Sequence, residues 1–195
     1  EYLDAYATHG VKQTFRPHGK TLQNIQNYFV KLFGGNPTEY ALLNNTAEGM
    51  TFIAQSLRVK PGDKILLVNR EYPSNVYPFL QLKHKGIQVE FIETGNSNKT
   101  FLENIEKSLT PNVKAMSLSA VDWLTGLVFN LKEISALLKK HGAAFILDAA
   151  QGAGHVPIRV KDLGVDAMAF SGWKWLLGPL GSGALYVDTN FSKEL

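Results

Sequence analysis

The chain has 195 residues, of which 45% are hydrophobic and 19% are charged, a balance typical of a folded globular domain rather than a disordered segment. It contains no cysteine, which excludes disulfide bonds and thiolate metal ligands within these residues. The formal net charge is +3, but the lysine and arginine residues are scattered along the chain, which argues against a nucleic-acid partner.

Short runs of β-branched and aliphatic residues alternate with segments in which apolar residues recur every three or four positions. This alternation predicts an α/β fold, in which helices cover both faces of a mostly parallel sheet. The strands are predicted at residues 40–44, 64–69, 88–92, 114–118, 143–148, 167–171 and 183–187. The helices are predicted at residues 20–33, 47–57, 76–85, 101–109 and 131–141.

The loop before the last predicted strand, residues 172–182, is rich in glycine and proline and too short for a helical crossover. We therefore expect the seventh strand to run antiparallel to its neighbours. No apolar run reaches the roughly 20 residues that cross a bilayer, and the first residues, EYLDAYATHG, do not have the pattern of a signal peptide. The default expectation is a cytoplasmic protein with no membrane partner.

Polar residues follow two of the predicted strands at the point where each strand ends. The apolar run AAFIL ends in Asp148, and the run AMAF is followed by Ser171 and Lys174. Because ligands bind at the carboxyl ends of the strands in parallel sheets, an acid and an amine at this edge indicate a binding site. The structural alternatives are a helix cap or a core ion pair for Asp148, and a solvated surface residue for Lys174.

A second candidate site lies in the sequence NNTAEGM, residues 44–50. Thr46 is predicted to cap the following helix, so that the backbone amides of Ala47 and Glu48 face outward at a helix N-terminus. Helix N-termini bind anions, and a phosphate group would fit there. An ordinary capped helix without a ligand is the alternative, because capped helices greatly outnumber phosphate sites.

The motifs D-x-x-Q-x-x-x-H from Asp148, S-G-x-K from Ser171 and G-P-x-G-x-G-x-L-Y from Gly178 follow one another along the chain. The sequences NNTAEGM, REYPSNVYPF and VDWLTG precede them. In this order, the motifs resemble the cofactor-binding half of class V aminotransferases of fold type I, which include cysteine desulfurases, kynureninases and isopenicillin-epimerase-like proteins. The resemblance covers nearly the whole chain. It implies a pyridoxal 5'-phosphate (PLP) cofactor and a three-layer α/β sandwich with a mostly parallel seven-stranded sheet.

The resemblance also implies a role for each candidate residue. Lys174 would hold PLP as a Schiff base and then move the substrate's α-proton. Asp148 would pair with the protonated pyridine nitrogen, which keeps the ring an electron sink. Gln151 would contact the phenolic oxygen of the cofactor. Two aromatic side chains would lie near the cofactor ring: Tyr72 and Trp123. The phosphate would be bound by Thr46, Ala47, Glu48 and Ser171.

The function implied by the resemblance is a PLP-dependent transferase, class V aminotransferase-like, that acts on an amino acid. A cysteine desulfurase, a selenocysteine lyase, another β-lyase and an epimerase are alternatives in the same family. Trp173 stands where desulfurases commonly have histidine, which favours the aminotransferase-like and epimerase-like members, and a desulfurase would need a cysteine from outside these residues. A non-catalytic relative is a further alternative, which intact Lys174, Asp148 and Gln151 disfavour. A nucleotide-binding Rossmann domain is disfavoured because no G-x-G-x-x-G follows the first strand.

Relatives in this family carry an additional carboxyl-terminal domain and act as homodimers. The resemblance therefore implies that residues 1–195 form the PLP-binding large domain of a longer protein, and that this protein is a homodimer. The arginine that holds the substrate carboxylate would come from the additional domain. Within the chain, Arg16 is the nearest alternative for that role.

Overall fold

The computed structural model describes residues 2–195, except for the side chains of residues 2 and 12–17, so Arg16 as a candidate carboxylate ligand lies outside the described side chains. Within residues 2–195, seven strands form one sheet in the order β1-β7-β6-β5-β4-β2-β3. Their bounds are Tyr40–Leu43, Lys64–Val68, Gln88–Ile92, Val113–Ser119, Ala144–Asp148, Ala167–Ser171 and Gly183–Val187 for β1 to β7. Strand β7 pairs antiparallel with β1 and β6, whereas the other pairs are parallel. The predicted sheet and its antiparallel last strand are confirmed.

The described residues also form six α-helices: α1 (Tyr2–His9), α2 (Val11–Phe33), α3 (Thr46–Ser56), α4 (Pro73–Leu80), α5 (Asn98–Ser108) and α6 (Leu131–Lys140). Helix α1 was not predicted, and α2 begins at Val11 rather than at residue 20. Helix α4 begins at Pro73 rather than at residue 76, because proline at the first helical position has a φ angle already suited to a helix. Residues Gln81–Lys85, which belonged to the same predicted helix, form a separate 3-10 helix.

Both faces of the sheet are buried, as a parallel sheet between helices requires. Leu66 and Met116 belong to the core on one face, whereas Ile65 and Ala115 belong to the core on the other. These neighbouring residues alternate because successive side chains of a strand point to opposite faces. Within the described residues, no helix combines the length and the apolar character that crossing a membrane demands.

The sheet brings the candidate residues to one edge. Ser119 and Asp148 end the neighbouring strands β4 and β5 and are paired in register, and Ser171 ends β6. Helix α3 packs closely over β6, since a Cβ atom on Gly49 would lie 2.7 Å from the Cβ of Ala169. This close packing carries the N-terminus of α3 to the same edge as the ends of the strands.

Candidate active site

Asp148 is a buried carboxylate at the end of β5, with 2% of its surface exposed. Its Oδ1 accepts a hydrogen bond of 2.9 Å from the backbone amide of Ala150. Burial raises the pKa of Asp148 from 3.8 to about 7, and the negative charge of Glu71 adds to this rise. The hydrogen bond from Ala150, the positive charge of Lys174 and the polar side chain of Ser74 lower the pKa and so oppose this rise. A cation beside this carboxyl group would therefore be strongly favoured.

Lys174 lies on the turn after β6 and is half-buried. Its Nζ is 5.5 Å from the ring centroid of Tyr72 and 5.5 Å from that of Trp173. Its charge acts on Asp148, so the structure brings the predicted acid and amine to one site. The amine is only partly enclosed by apolar side chains, because the neighbouring Trp175 and Leu177 are 48% and 89% exposed.

Thr46 and Ser171 join the start of α3 to the end of β6. Their hydroxyl oxygens are 2.8 Å apart, and the Thr46 backbone amide donates to the Ser171 hydroxyl over 3.2 Å. Both residues are buried. A Cβ atom on Gly183 would lie 2.8 Å from the carbonyl oxygen of Phe170 and 3.0 Å from the backbone nitrogen of Asn45. Glycine at this position thus permits the chain to close around the two hydroxyl groups.

The prediction that Thr46 caps α3 is wrong, because the capping residue is Asn45. Asn45 has an extended backbone with φ −167°, and its side chain accepts a hydrogen bond of 2.9 Å from the amide of Glu48. The Glu48 amide is therefore already bonded, and the Glu48 carboxylate accepts hydrogen bonds from Asn44. No described residue accepts a hydrogen bond from the Ala47 amide. Of the two backbone amides predicted to bind a phosphate, only that of Ala47 therefore remains able to donate to a ligand.

Tyr72 and Trp123 form an aromatic pair at the open side of the site. Their ring centroids are 5.3 Å apart in an edge-to-face arrangement. The indole N–H of Trp123 donates to the backbone carbonyl of Arg70 over 3.0 Å, and Arg70 has a left-handed φ angle of 62°. The rings are 41% and 42% exposed, so neither is part of the core. Both predicted aromatic residues thus present surface to the space in front of Lys174.

Gln151 lies on the turn after β5, three residues beyond Asp148. Its Oε1 accepts a hydrogen bond of 2.9 Å from the indole N–H of Trp175. The ring of Trp175 stacks on His155 with a centroid distance of 4.3 Å and an angle of 18° between the planes. Trp175 was not among the predicted site residues, and nothing in its spacing indicated this bond.

Glu71 and Ser119 also belong to the site, although the sequence did not single them out. The Glu71 carboxylate accepts hydrogen bonds from the Ser119 amide at 2.7 Å and from its hydroxyl at 2.6 Å. It also accepts from the amide of Tyr72 at 2.8 Å, which fixes the start of the segment that carries the Tyr72 ring. Since Ser119 is the last residue of β4, the rule that polar strand ends mark sites would have found it.

The family model for aminotransferase class-V matches residues 1–195. The chain belongs to this family. The resemblance deduced from its motifs is thereby confirmed. Among similar proteins, a probable cysteine desulfurase of Pyrococcus abyssi is 36% identical over 156 residues, which are 78% of this chain and 39% of the relative. A probable cysteine desulfurase of Methanothermobacter thermautotrophicus is 30% identical over 176 residues, which are 90% of this chain and 44% of the relative.

Solved structures with the same fold as this class-V chain include enzymes that act on sulfur-containing amino acids, by their own descriptions. The apo cysteine desulfurase from Thermococcus onnurineus NA1 matches with a TM-score of 0.88 at 29% identity, over 99% of this chain and 50% of that one. The cystine C-S lyase C-DES, in complex with its reaction product cysteine persulfide, matches with a TM-score of 0.92 at 25% identity, over 100% and 53%. A C-DES mutant with glycine covalently linked to its PLP cofactor matches at 24% identity. The class-V chain thus spans at most about half the length of these relatives.

Proposed function

We propose that this chain binds PLP through Lys174 and forms the cofactor-binding part of an enzyme that cleaves the carbon–sulfur bond of a cysteine-type amino acid. The observation that carries this proposal is the meeting of buried Asp148 and the Lys174 amine at one sheet edge. Membership of the family and the PLP cofactor, with glycine covalently linked to it, in a structure of the same fold support the choice of cofactor.

The residues present fit PLP at both ends of that molecule. At one end, a protonated pyridine nitrogen would place a cation directly beside Asp148, whose pKa burial has raised to about 7 despite the positive charge of Lys174. At the other end, the hydroxyl groups of Thr46 and Ser171 and the amide of Ala47 would bind the phosphate beside a helix N-terminus. The spacing of these groups on β5, β6 and α3 is fixed by the sheet.

PLP, when bound, supplies an electron sink for the bonds at the substrate's α-carbon. The residues of this chain orient that chemistry and move the proton. Lys174 would form the covalent bond to the cofactor and, once displaced by the substrate amine, take the proton from the α-carbon. Asp148 would hold the ring cationic, Tyr72 would pack on its face, and Gln151 would donate to its phenolic oxygen.

Carbon–sulfur cleavage is the alternative from the sequence analysis rather than its main interpretation, which was an aminotransferase. The similar proteins named as cysteine desulfurases and as a cystine C-S lyase favour this alternative. Trp173, in the position of the desulfurase histidine, was the reason for disfavouring carbon–sulfur cleavage. Its side chain is 41% exposed, and its ring centroid lies 5.5 Å from the Lys174 amine, so the residue still borders the site. Because the chain has no cysteine, any persulfide-accepting thiol would belong to residues outside it.

The test is to incubate the full-length protein, loaded with PLP, with cysteine, cystine and alanine in separate reactions. Carbon–sulfur cleavage predicts sulfide or persulfide from the sulfur-containing substrates without any keto-acid acceptor. An aminotransferase would instead consume an amino acid only when a keto acid is added. Lys174→Ala is the matched control, and turnover that persists in this variant would contradict the assigned role. A protein that binds PLP and transforms none of these substrates would favour the non-catalytic alternative.

We also propose that the protein is a homodimer. Large apolar side chains on α3 and α4 are exposed, with Phe52 at 47% and Tyr77 at 63%. Ala47, at the start of α3 and next to the proposed phosphate site, lines the groove between these two helices. A second copy covering this groove would therefore also close the site. Light scattering should give twice the monomer mass, and a monomer with full activity would contradict the proposal.

A further inference from the structure

We propose that Trp175 is a positioning residue, which fixes the Gln151 side-chain amide so that only its N–H2 group can face the cofactor. This inference rests on the proposed function, because it assigns how the PLP site is built. Trp175 directly follows Lys174 in the chain. The two residues on which the chemistry depends, Lys174 and Gln151, are thus connected through one tryptophan.

The chemistry of the two side chains determines which way the amide points. The Trp175 indole nitrogen is 2.9 Å from Gln151 Oε1. An indole N–H is only a donor, so the atom facing it must be the amide oxygen and not the amide nitrogen. Turning the amide over would set two N–H groups against each other. The free end of Gln151 is therefore a hydrogen-bond donor, and this orientation does not depend on any other residue.

Two further contacts hold Trp175 on the turn that carries Gln151. Its ring stacks on His155, with the centroids 4.3 Å apart and the planes within 18°. The backbone of Trp175 also approaches Gly154 so closely that a Cβ atom there would lie 2.7 Å from the Trp175 carbonyl oxygen. Gly154 has a φ angle of 89°, in the region that favours glycine. The turn after β5 and the turn after β6 are thus joined through one ring, one hydrogen bond and one backbone contact.

The consequence is a fixed donor opposite the phenolic oxygen of bound PLP. A donor stabilises that oxygen in its anionic form and weakens its hold on the proton that it shares with the nitrogen of the Lys174 linkage. If the amide could rotate freely, it would present its oxygen for part of the time, and an acceptor there would strengthen the hold on the proton. Trp175 should therefore lower the pH at which that proton is lost.

The experiment measures this pH through the visible absorption of the PLP-bound full-length protein, titrated without substrate. Gln151→Ala should raise the midpoint by about one pH unit, a tenfold change in proton affinity, because a hydrogen bond to the phenolic oxygen is lost. Trp175→Phe keeps a ring on His155 but removes the N–H, and should raise the midpoint by a smaller amount, about half a unit. In the double variant, Trp175→Phe should cause no shift beyond that of Gln151→Ala.

The outcomes separate this inference from the proposed function. A wild-type protein without any PLP absorption band would refute the proposed function itself. With the band present, an unchanged titration midpoint in Trp175→Phe would overturn the inference. It would also be overturned if Trp175→Phe shifted the midpoint by the same amount in the Gln151→Ala background as in the wild type. The urea unfolding midpoint of each PLP-free variant checks folding. Trp175→Tyr, which also lacks the N–H, takes the place of Trp175→Phe if the latter does not fold.

Discussion

Replacing Asp148 by asparagine should change how the stability of the cofactor-free protein depends on pH. The pKa of this buried carboxyl group is about 7 in the folded protein and 3.8 as its ordinary value. Between about pH 4 and pH 7, the folded state therefore keeps a proton that the unfolded state has released. Stability falls as the pH rises through this window, and the full penalty above pH 7 amounts to about 4 kcal/mol.

The asparagine side chain has no proton to lose in this range, so Asp148→Asn removes the dependence. Its amide oxygen can still accept the hydrogen bond from Ala150. We expect wild type to lose about 2 to 3 kcal/mol of unfolding free energy, relative to Asp148→Asn, when the pH is raised from 5 to 8. Other titrating groups occur in both proteins and cancel in the comparison.

The assay is urea unfolding of the cofactor-free full-length proteins at both pH values, repeated with saturating PLP. Because a pyridinium cation would remove the penalty, PLP should stabilise wild type more at pH 8 than at pH 5, and Asp148→Asn should lose this difference. Asp166→Asn is the matched control: burial raises the pKa of Asp166 as well, and it accepts from the amide of Phe145, away from the site. Parallel pH profiles of stability for wild type and Asp148→Asn would show that Asp148 does not keep its proton in the folded protein up to about pH 7.

Three other variants test single parts of the site. Thr46→Val should weaken PLP binding about fivefold to tenfold by removing a hydroxyl donor, whereas Thr51→Val on the same helix should not. Equal PLP affinities of these two variants in equilibrium dialysis would contradict the phosphate site. Gly183→Ala should lower the unfolding free energy in urea by about 1 to 3 kcal/mol, because its Cβ would lie 2.8 Å from the Phe170 carbonyl oxygen, and an unchanged value would contradict this close approach. Tyr72→Leu should weaken PLP binding about threefold to tenfold through lost ring stacking while Tyr72→Phe retains it, and equal binding by both would argue against the stacking role.

The sequence predicted the sheet well because each strand combines a local apolar run with a turn signal. Strands β3, β6 and β7 have the predicted bounds. The antiparallel direction of β7 followed from the shortness of one loop. The site edge followed as well, since Asp148 and Ser171 end strands whose carboxyl ends lie at the same edge of a parallel sheet.

What the sequence did not reveal depends on choices between adjacent groups or on contacts across the chain. Asn45 and Thr46 are both good capping residues, and only the backbone angles decide that Asn45 caps α3. The bond from Trp175 to Gln151 joins two turns, and the bond from Ser119 to Glu71 joins a strand end to a loop. No periodicity in the sequence encodes such pairings.

Borohydride reduction of the PLP-bound protein, followed by peptide mass spectrometry, tests whether Lys174 holds the cofactor. Reduction makes the bond between a lysine and PLP permanent, so the modified lysine can be identified in the digest. We expect a single pyridoxyl-modified lysine at Lys174 and no stable adduct in Lys174→Ala. A wild-type protein that carries no adduct after reduction, or that carries it on a different lysine, would show that Lys174 does not bind PLP.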